Sequence, residues 1–394
     1  MEACDVRKDW REERAAALRD ARRVVVKVGS AVLSSGDALD LAVLDNLVEQ
    51  LAALRRQGRR VVLVSSGAVA AGRTALREAA RREDRQPAPV AGLSGKQAAA
   101  AVGQGRLMHF YDRAFAEQGL LAAQVLLTRD DLRDRTRFLN VRNTFSTLLD
   151  WGSVPIVNEN DTVSVNELKF SDNDNLASLL LNPLEADLFV NLTSIGGVLD
   201  ANPLEHPDAQ VMPCVEDVRA LDLATLCGGK TAVGTGGMHS KLLSARRAAQ
   251  IGVPTCILPG RERDVILRAF AGEIVGTWVR PEEHVIPRRK FWLAYQAEPQ
   301  GTLQLDAGAA EALRQNGKSL LPGGVAGVEG EFAAGALVRL MYGDETVGVG
   351  LSNYDAPELR RIMGLKRHEV AALLGDAHYP EVVHRDNMLL DAAL

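Results

Sequence analysis

The chain has 394 residues, of which 46% are hydrophobic and 25% charged, enough apolar material for one large or two ordinary soluble domains. Its formal net charge of −5 argues against a general affinity for nucleic acid or for an anionic membrane. No apolar run is long enough to span a bilayer, and residues Met1–Lys8 lack the apolar centre of a signal peptide. The cysteines are scattered without the spacing of a zinc site, so we expect reduced thiols in a cytoplasmic protein.

The first predicted elements are a charged arm and a buried strand. Residues 1–22 are dense in charged residues and alanine, which is typical of a solvated helix or a frayed arm. The valines of Arg23–Ser30 predict a strand that is buried on both faces, with Lys27 inside it. A buried lysine requires an anion, and at the end of the first strand of an α/β sheet a phosphate is the natural partner. A lysine that reaches solvent from an edge strand is the alternative interpretation of this segment.

Strands and helices then alternate along the chain, with a charged surface excursion at Arg77–Pro89 and a hairpin at Thr162–Lys169. The predicted strands are Arg60–Ser65, Leu120–Thr128, Ser153–Val157, Asp187–Leu192 and Val253–Leu258. The predicted helices are Leu39–Arg56, a small-residue helix after Gly67, Gly92–Ala114, Arg137–Trp151, one capped by Ser171–Asn175, Leu242–Ile251 and Asp264–Ala271. This alternation predicts an α/β fold, a three-layer αβα sandwich with a mostly parallel central sheet.

The pattern changes after about Pro281. Arg288–Trp292 opens a region that we interpret as short strands and glycine-rich turns, including the segments Leu337–Met341 and Val347–Leu351. We therefore expect three parts: the arm at 1–22, the α/β domain at 23–281 and a small, mainly β domain at 285–394.

Polar clusters follow the predicted strands of the α/β domain. They are Lys27 with Gly29 and Ser30, Ser66 with Gly67, Asn158–Asp161, Asp172–Asp174, Thr193 with Ser194, and Thr235–Lys241. The carboxyl ends of parallel strands meet at one edge of a sheet, where ligands of open α/β folds bind. Two lysines and glycine-rich helix starts suit a polyphosphate, and the Asp and Asn residues suit a metal-bridged phosphate or a substrate ammonium group.

This residue set favours phosphoryl transfer. The sequence offers no Ser–His or Cys–His pair for covalent catalysis, whereas phosphoryl transfer requires only alignment and charge neutralisation. Each cluster also has a structural explanation when taken alone: Asp172–Asp174 as a helix cap, Asn158–Asp161 as a solvated turn, and the glycines of residues 234–237 as a flexible loop.

At these residues the chain resembles the amino acid kinase family, in particular its glutamate-phosphorylating branch, which carries a C-terminal PUA domain. The similar segments are Val26–Ser30, Val64–Gly72, Lys96–Gln97, Leu126–Arg129, Arg137–Asn140, Val157–Asp161, Asp172–Asn175 and Gly234–Met238. The resemblance implies the amino acid kinase fold followed by a PUA domain. It also implies transfer of phosphate from ATP to the γ-carboxylate of L-glutamate, with Mg²⁺ on the phosphates, as the first step toward proline.

The resemblance also implies roles for individual residues. The catalytic group would comprise Lys27 and Lys241, which neutralise the transferring phosphoryl group, and Asp174, which orients them. The glutamate-binding residues would be Ser66, Asp161 and Asn173, with Asn158 nearby and Asp172 at the substrate-facing rim. ATP would contact Lys27, Thr193, Ser194, Thr235, Gly236, Gly237, Met238 and Lys241.

Two positions depart from the family pattern: Ser194 stands where an aspartate is usual, and Gly95 stands where some members have a serine. The resemblance further implies a homo-oligomer, a dimer or a tetramer, with proline as a feedback inhibitor. Two alternatives remain open. One is the same fold with another acceptor, and the other is an RNA-binding or regulatory protein, suggested by the basic and aromatic run Arg288–Trp292.

Overall fold

The computed structural model describes residues 9–36, 38–86, 89–164, 172–223, 226, 237–283, 285–295, 298–374 and 379–390. The chain divides into two compact units, Met1–Asp131 with Arg135–Val285, and Leu132–Asp134 with Ile286–Leu394. Each unit has its own cluster of buried apolar side chains. The predicted limits at 1–22, 23–281 and 285–394 stay a prediction.

The first unit is built on an eight-stranded sheet with the strand order β5-β6-β4-β1-β7-β9-β10-β8. The strands of this unit, including the separate β2–β3 hairpin, are β1 (Arg23–Val28), β2 (Ser34–Ser35), β3 (Ala38–Leu39), β4 (Arg60–Ser65), β5 (Ala122–Leu127), β6 (Val154–Glu159), β7 (Leu188–Thr193), β8 (Cys214–Val215), β9 (Thr255–Pro259) and β10 (Thr277–Val279). Neighbouring strands run parallel, apart from β9 and β10. The mostly parallel sheet predicted from the alternating pattern is thus confirmed.

Helices connect these strands, and several differ in extent from the prediction. They are α1 (Trp10–Asp20), α2 (Ser30–Leu33), α3 (Leu41–Arg56), α4 (Ala68–Arg82), α5 (Gly92–Glu117), α6 (Arg129–Arg133), α7 (Arg135–Asp150), α8 (Asp172–Leu180), α9 (Met238–Gln250) and α10 (Val265–Phe270). The predicted excursion at Arg77–Pro89 is wrong in its first half, because α4 continues to Arg82. The predicted hairpin at Thr162–Lys169 falls largely outside the described residues.

Within the charged N-terminal segment, Trp10–Asp20 form a helix, one of the two predicted alternatives, but this helix is anchored to the first unit rather than solvated. Leu18 is only 2% exposed, and the guanidinium of Arg14 donates a hydrogen bond of 2.6 Å to the carbonyl of Glu273. Glu13 on the same helix forms an ion pair with the buried Arg280. Trp10, Arg14 and Leu18 follow each other at intervals of four, so one face of α1 is held against the domain.

Helices α4 and α5 pack at unusually close range because each offers a glycine to the other. A Cβ atom added to Gly72 would lie 1.8 Å from the carbonyl oxygen of Ala99, and one added to Gly103 would lie 1.9 Å from that of Ala68. A larger residue at either position would force the backbones apart. The contact fixes the start of α4, which is capped by Gly67 at a left-handed φ of 112°.

The second unit contains a five-stranded sheet of order β12-β11-β13-β14-β15. Its elements are α11 (Arg288–Tyr295), β11 (Gly301–Leu305), α12 (Ala307–Asn316), β12 (Val325–Glu329), β13 (Leu337–Tyr342), β14 (Glu345–Leu351), α13 (Ala356–Ile362), α14 (Arg367–Leu374) and β15 (Met388–Leu390), with 3₁₀ turns at Pro322–Gly324 and Arg385–Asn387.

The predicted region of short strands after about Pro281 is confirmed by this five-stranded sheet, although the run Arg288–Trp292 that opens it forms the helix α11. Phe291 is fully buried, and the indole N–H of Trp292 donates to the carbonyl of Leu132 at 3.2 Å. Phe291 therefore offers no exposed ring on which a base could stack. Within the described ranges, no helix combines the length and apolar character needed to cross a membrane.

Candidate active site

The carboxyl ends of β1, β4, β6 and β7 surround a cavity of about 450 Å³ in the first unit. It is lined by ten of the predicted site residues: Lys27, Ser66, Asn158, Asp161, Asn173, Thr193, Ser194, Gly237, Met238 and Lys241. Asp174 contacts both lysines and is fully buried, and Asp172 is the first residue of α8. The predicted ATP contacts Thr235 and Gly236 lie outside the described residues.

Two lysines from opposite ends of the domain's sequence meet at one carboxylate. The ammonium of Lys27 lies 2.5 Å from Oδ1 of Asp174, and the ammonium of Lys241 lies 3.3 Å from Oδ2. The side chains of Lys27 and Asp174 are 1% and 0% exposed, and that of Lys241 is 6% exposed. Because burying a charge requires a partner, this carboxylate allows two cations to lie side by side at the cavity wall.

The electrostatics of this group follow from burial and from its charges. Burial penalises the charged ammonium and lowers the pKa of Lys27 to about 8. The attraction of Asp174 opposes this shift, but the like charge of Lys241 offsets part of that attraction. Burial alone would raise the pKa of Asp174, but the ammonium groups of Lys27 and Lys241 outweigh it and hold that pKa at about 2. The carboxylate is therefore ionised near neutral pH, and Lys27 is mostly protonated there.

Asp174 is held in place by two further donors that the sequence prediction missed. Ser240 donates its hydroxyl to Oδ2 at 2.7 Å, and the amide of Asn191 donates to Oδ1 at 3.2 Å. Asn191 is the β7 neighbour of Lys27 in the parallel register of the sheet. The sequence signal for Asn191 was a polar side chain within an otherwise apolar strand, which is unusual at a buried position. Ser240 had no signal beyond its place directly before Lys241.

A second polar group, built on amides, lies beside the lysines. Asn173 donates to the hydroxyl of Ser66 at 3.0 Å and to Oδ1 of Asn158 at 2.9 Å. The backbone N–H of Glu159 donates to the amide oxygen of both asparagines, at 3.0 and 3.1 Å. Gln104 of α5, which was not predicted, accepts from the amide of Asn158 at 2.8 Å. The network fixes which atoms of these side chains point toward the cavity.

Two helices begin at the edge of the cavity. Lys241 lies on the first turn of α9, which starts at Met238, rather than in a loop before the helix as predicted. Helix α2 starts at Ser30, directly after Gly29, and a Cβ atom on Gly29 would lie 3.3 Å from the ammonium of Lys27. Backbone N–H groups at such helix starts favour anions, and two lysines reinforce that preference.

The described residues contain no group of three or more His, Cys, Asp or Glu side chains that could hold a metal ion by themselves. Asp161 and Glu159 line the cavity as separate carboxylates. Mg²⁺ is commonly bound by one or two carboxylates together with phosphate oxygens and water, so this residue set fits a metal carried by a phosphate ligand.

Comparison with known proteins gives full-length matches. A profile of the amino acid kinase family matches residues 22–259, and one of the PUA domain matches residues 301–374. The glutamate 5-kinase of Nitratidesulfovibrio vulgaris is 66% identical over 387 residues, spanning 98% of this chain and 100% of the relative. That of Oleidesulfovibrio alaskensis is 61% identical over 387 residues, with the same coverage. That of Maridesulfovibrio salexigens is 53% identical over 378 residues, spanning 96% of this chain and 98% of the relative.

Proposed function

The chain belongs to the amino acid kinase family and carries a C-terminal PUA domain, and we propose that it phosphorylates the γ-carboxylate of L-glutamate with ATP. ATP use follows from membership of a kinase family. The glutamate acceptor is supported by the near-complete coverage and high identity of the glutamate 5-kinase relatives. The product would be L-glutamyl 5-phosphate, an acyl phosphate at the start of proline biosynthesis.

The observation that carries the proposal is the placement of Lys27 and Lys241 on one buried carboxylate at the cavity wall. Phosphoryl transfer develops negative charge on the oxygens of the moving group, and catalysis consists mainly of alignment and charge neutralisation. Asp174 keeps both ammonium groups at the place where that charge would develop. The cavity is large enough for the reacting groups of a nucleotide and a small amino acid.

The two polar groups suggest how the substrates divide the cavity. The nucleotide side would be formed by the ends of β1 and β7 and the start of α9, with Lys27, Thr193, Ser194, Thr235, Gly236, Gly237, Met238 and Lys241. The glutamate side would be formed by the ends of β4 and β6 and the start of α8, with Ser66, Asn158, Asp161, Asp172 and Asn173. Asp161 supplies a carboxylate for the ammonium group of glutamate, and the side-chain amides of Asn158 and Asn173 supply N–H donors for the carboxylates of glutamate.

Mg²⁺ would be bound by phosphate oxygens and water, with help from the cavity carboxylates. When bound, it would neutralise part of the charge on the phosphates. Ser194 is exposed at the cavity edge and offers a hydroxyl where the family usually has a carboxylate. It could accept a ligand hydrogen bond but would add no negative charge toward the metal.

The test is to measure ADP release with ATP, Mg²⁺ and L-glutamate while hydroxylamine traps the acyl phosphate as a hydroxamate. We expect hydroxamate from the native protein, its loss in Lys241→Ala, and normal formation in Lys318→Ala, which removes an exposed lysine of the second unit. Parallel reactions replace glutamate with aspartate, N-acetylglutamate or carbamate. Turnover with one of these and none with glutamate would reject the proposed acceptor.

We further propose that proline competes with glutamate for the amide side of the cavity, and that the protein is a cytoplasmic homo-oligomer, a dimer or a tetramer. These statements rest on the family resemblance. Proline inhibition would be read as an increase in the KM for glutamate at unchanged kcat. Light scattering of the purified protein would give its mass in solution.

A further inference from the structure

A second cavity, of about 230 Å³, lies at the opposite end of the same sheet. Arg23 and Arg60, the first residues of β1 and β4, are partners in the parallel register and both line it. The candidate active site lies at the other ends of these two strands. The remaining walls come from α7 and from the loop Pro183–Glu185 after α8.

Three guanidinium groups from three elements converge here. Arg23 pairs with Glu185, and Arg60 pairs with Asp150 at 2.7 Å; the side chains of both arginines are more than a third exposed. Arg142 of α7 is exposed and has no ion-pair partner among the residues that the structure describes. The lining holds three guanidinium groups and one carboxylate, that of Glu185. Asp150 pairs with Arg60 from outside the lining, and Asp187 accepts from the backbone N–H of Arg23. Each guanidinium also has more N–H groups than one ion pair uses.

The floor of the cavity is apolar, and its rim is polar. Phe145, Leu149 and Leu184 are buried at the base, while Asn143 and Ser146 stand beside Arg142 on α7. Exposed ion pairs such as Arg23–Glu185 are worth little in water and rearrange easily when a ligand offers a better partner. Arginine also binds carboxylate and phosphate oxygens in a two-point geometry that lysine does not match.

We propose that this cavity is a second ligand site, which binds a small organic anion through Arg142 with Arg60 and Arg23. Its volume is below the roughly 300–1,000 Å³ typical of sites for drug-sized molecules, so the ligand is limited to a compact acid. A dicarboxylate and a phosphate share the required chemistry: two or more anionic oxygens for the guanidinium groups. The apolar floor favours a ligand with a short carbon skeleton over a bare ion.

The proposal is tested by calorimetric titration of the intact protein with succinate and, separately, with inorganic phosphate. The titration that gives the tighter binding identifies the anionic group that the site prefers. Arg142→Ala is expected to weaken binding at least about tenfold, since it removes the unpaired cation. Glu185→Gln is expected to strengthen it, because it removes a carboxylate that competes for Arg23. A general loss of stability would not make one of these two neighbouring substitutions weaken the affinity for the anion and the other strengthen it.

Two matched variants show whether the anion binds in this cavity or elsewhere on the protein. Arg82→Ala removes an exposed arginine from the end of α4, outside the cavity, and should leave binding unchanged. Lys241→Ala weakens any anion binding at the candidate active site and should leave the Arg142-dependent binding unchanged. The proposal is overturned if the native protein shows no saturable binding, if Arg142→Ala binds as the native protein does, or if Arg82→Ala or Lys241→Ala causes an equal loss.

Discussion

Replacing Asp174 by asparagine isolates the charge on which the candidate active site depends. The side chain is fully buried and accepts from Lys27, Lys241, Ser240 and Asn191. Asparagine has nearly the same shape, so packing is retained while two ammonium groups lose their counter-charge. We expect both lower stability and a large loss of turnover.

The size of the stability loss can be bracketed from the structure. The pKa of Asp174 falls from 3.8 to about 2 in the folded protein, which corresponds to about 2 kcal/mol of stabilisation at neutral pH. Removing one partner of a buried ion pair typically costs about 3–5 kcal/mol. Lys27 can limit the loss by releasing its proton, since its pKa is already about 8. We therefore expect Asp174→Asn to cost between about 2 and 5 kcal/mol.

Urea unfolding at pH 7 measures this loss, with Asp150→Asn as the matched control. Asp150 lies 2.7 Å from Arg60, but the two side chains are 55% and 38% exposed, so its loss should cost less than about 1 kcal/mol. In the kinetic assay, kcat of Asp174→Asn should fall by about 10²–10³-fold, because a neutral Lys27 cannot stabilise the transferring group. Equal destabilisation by the two variants, or native kcat in Asp174→Asn, would refute the reasoning.

Three further changes probe other parts of the structure. Burial lowers the pKa of Lys27 from 10.5 to about 8, so kcat/KM for ATP should fall about tenfold per pH unit above pH 8, and a flat profile would contradict the assignment. The contribution of this lysine to stability should rise between pH 8 and 10.5, because the unfolded chain then binds the proton that the folded protein has released. Gln104→Leu leaves the amide of Asn158 without its acceptor, so the KM for glutamate should rise about tenfold with the KM for ATP unchanged, as steady-state kinetics would show. Gly103→Val places a side chain against the carbonyl of Ala68 and should lower the free energy of unfolding by about 3 kcal/mol or more, which thermal unfolding would detect. An unchanged stability would mean that α4 and α5 can separate freely.

The sheet and the location of the site could be predicted because both depend on local patterns. Valine-rich runs at Arg23–Val28 and Arg60–Ser65 give buried strands, and polar residues directly after such strands must meet when the strands are parallel. That argument brought residues as distant as Lys27 and Asn158 to one edge without any knowledge of their contacts. It depends on strand direction alone, which explains why it succeeded.

The contacts that support the site could not be predicted in the same way. Gln104 lies in an alanine-rich helix, and nothing in the local sequence indicates that its amide faces Asn158. The spacing of Trp10, Arg14 and Leu18 indicated that one face of α1 could pack against the domain. An arginine on that face is nevertheless expected to be exposed, because its acceptor, the carbonyl of Glu273, is distant in sequence. The helix at Arg288–Tyr295 was missed because its basic start and aromatic end show no simple helical pattern.

The arrangement around Asp174 has a consequence for how the lysines work. With Asp174 alone as counter-charge, Lys27 lies 2.5 Å from the carboxylate, and Lys241 is held more loosely at 3.3 Å. A polyphosphate carries more negative charge than one carboxylate, so it would draw both ammonium groups toward the cavity and raise the pKa of Lys27. Asp174 would then remain behind the lysines, held by Ser240 and Asn191. In the proposed reaction, a carboxylate fixed in this way would keep both cations close to the phosphoryl group before ATP arrives, so little reorganisation would be required when charge develops there.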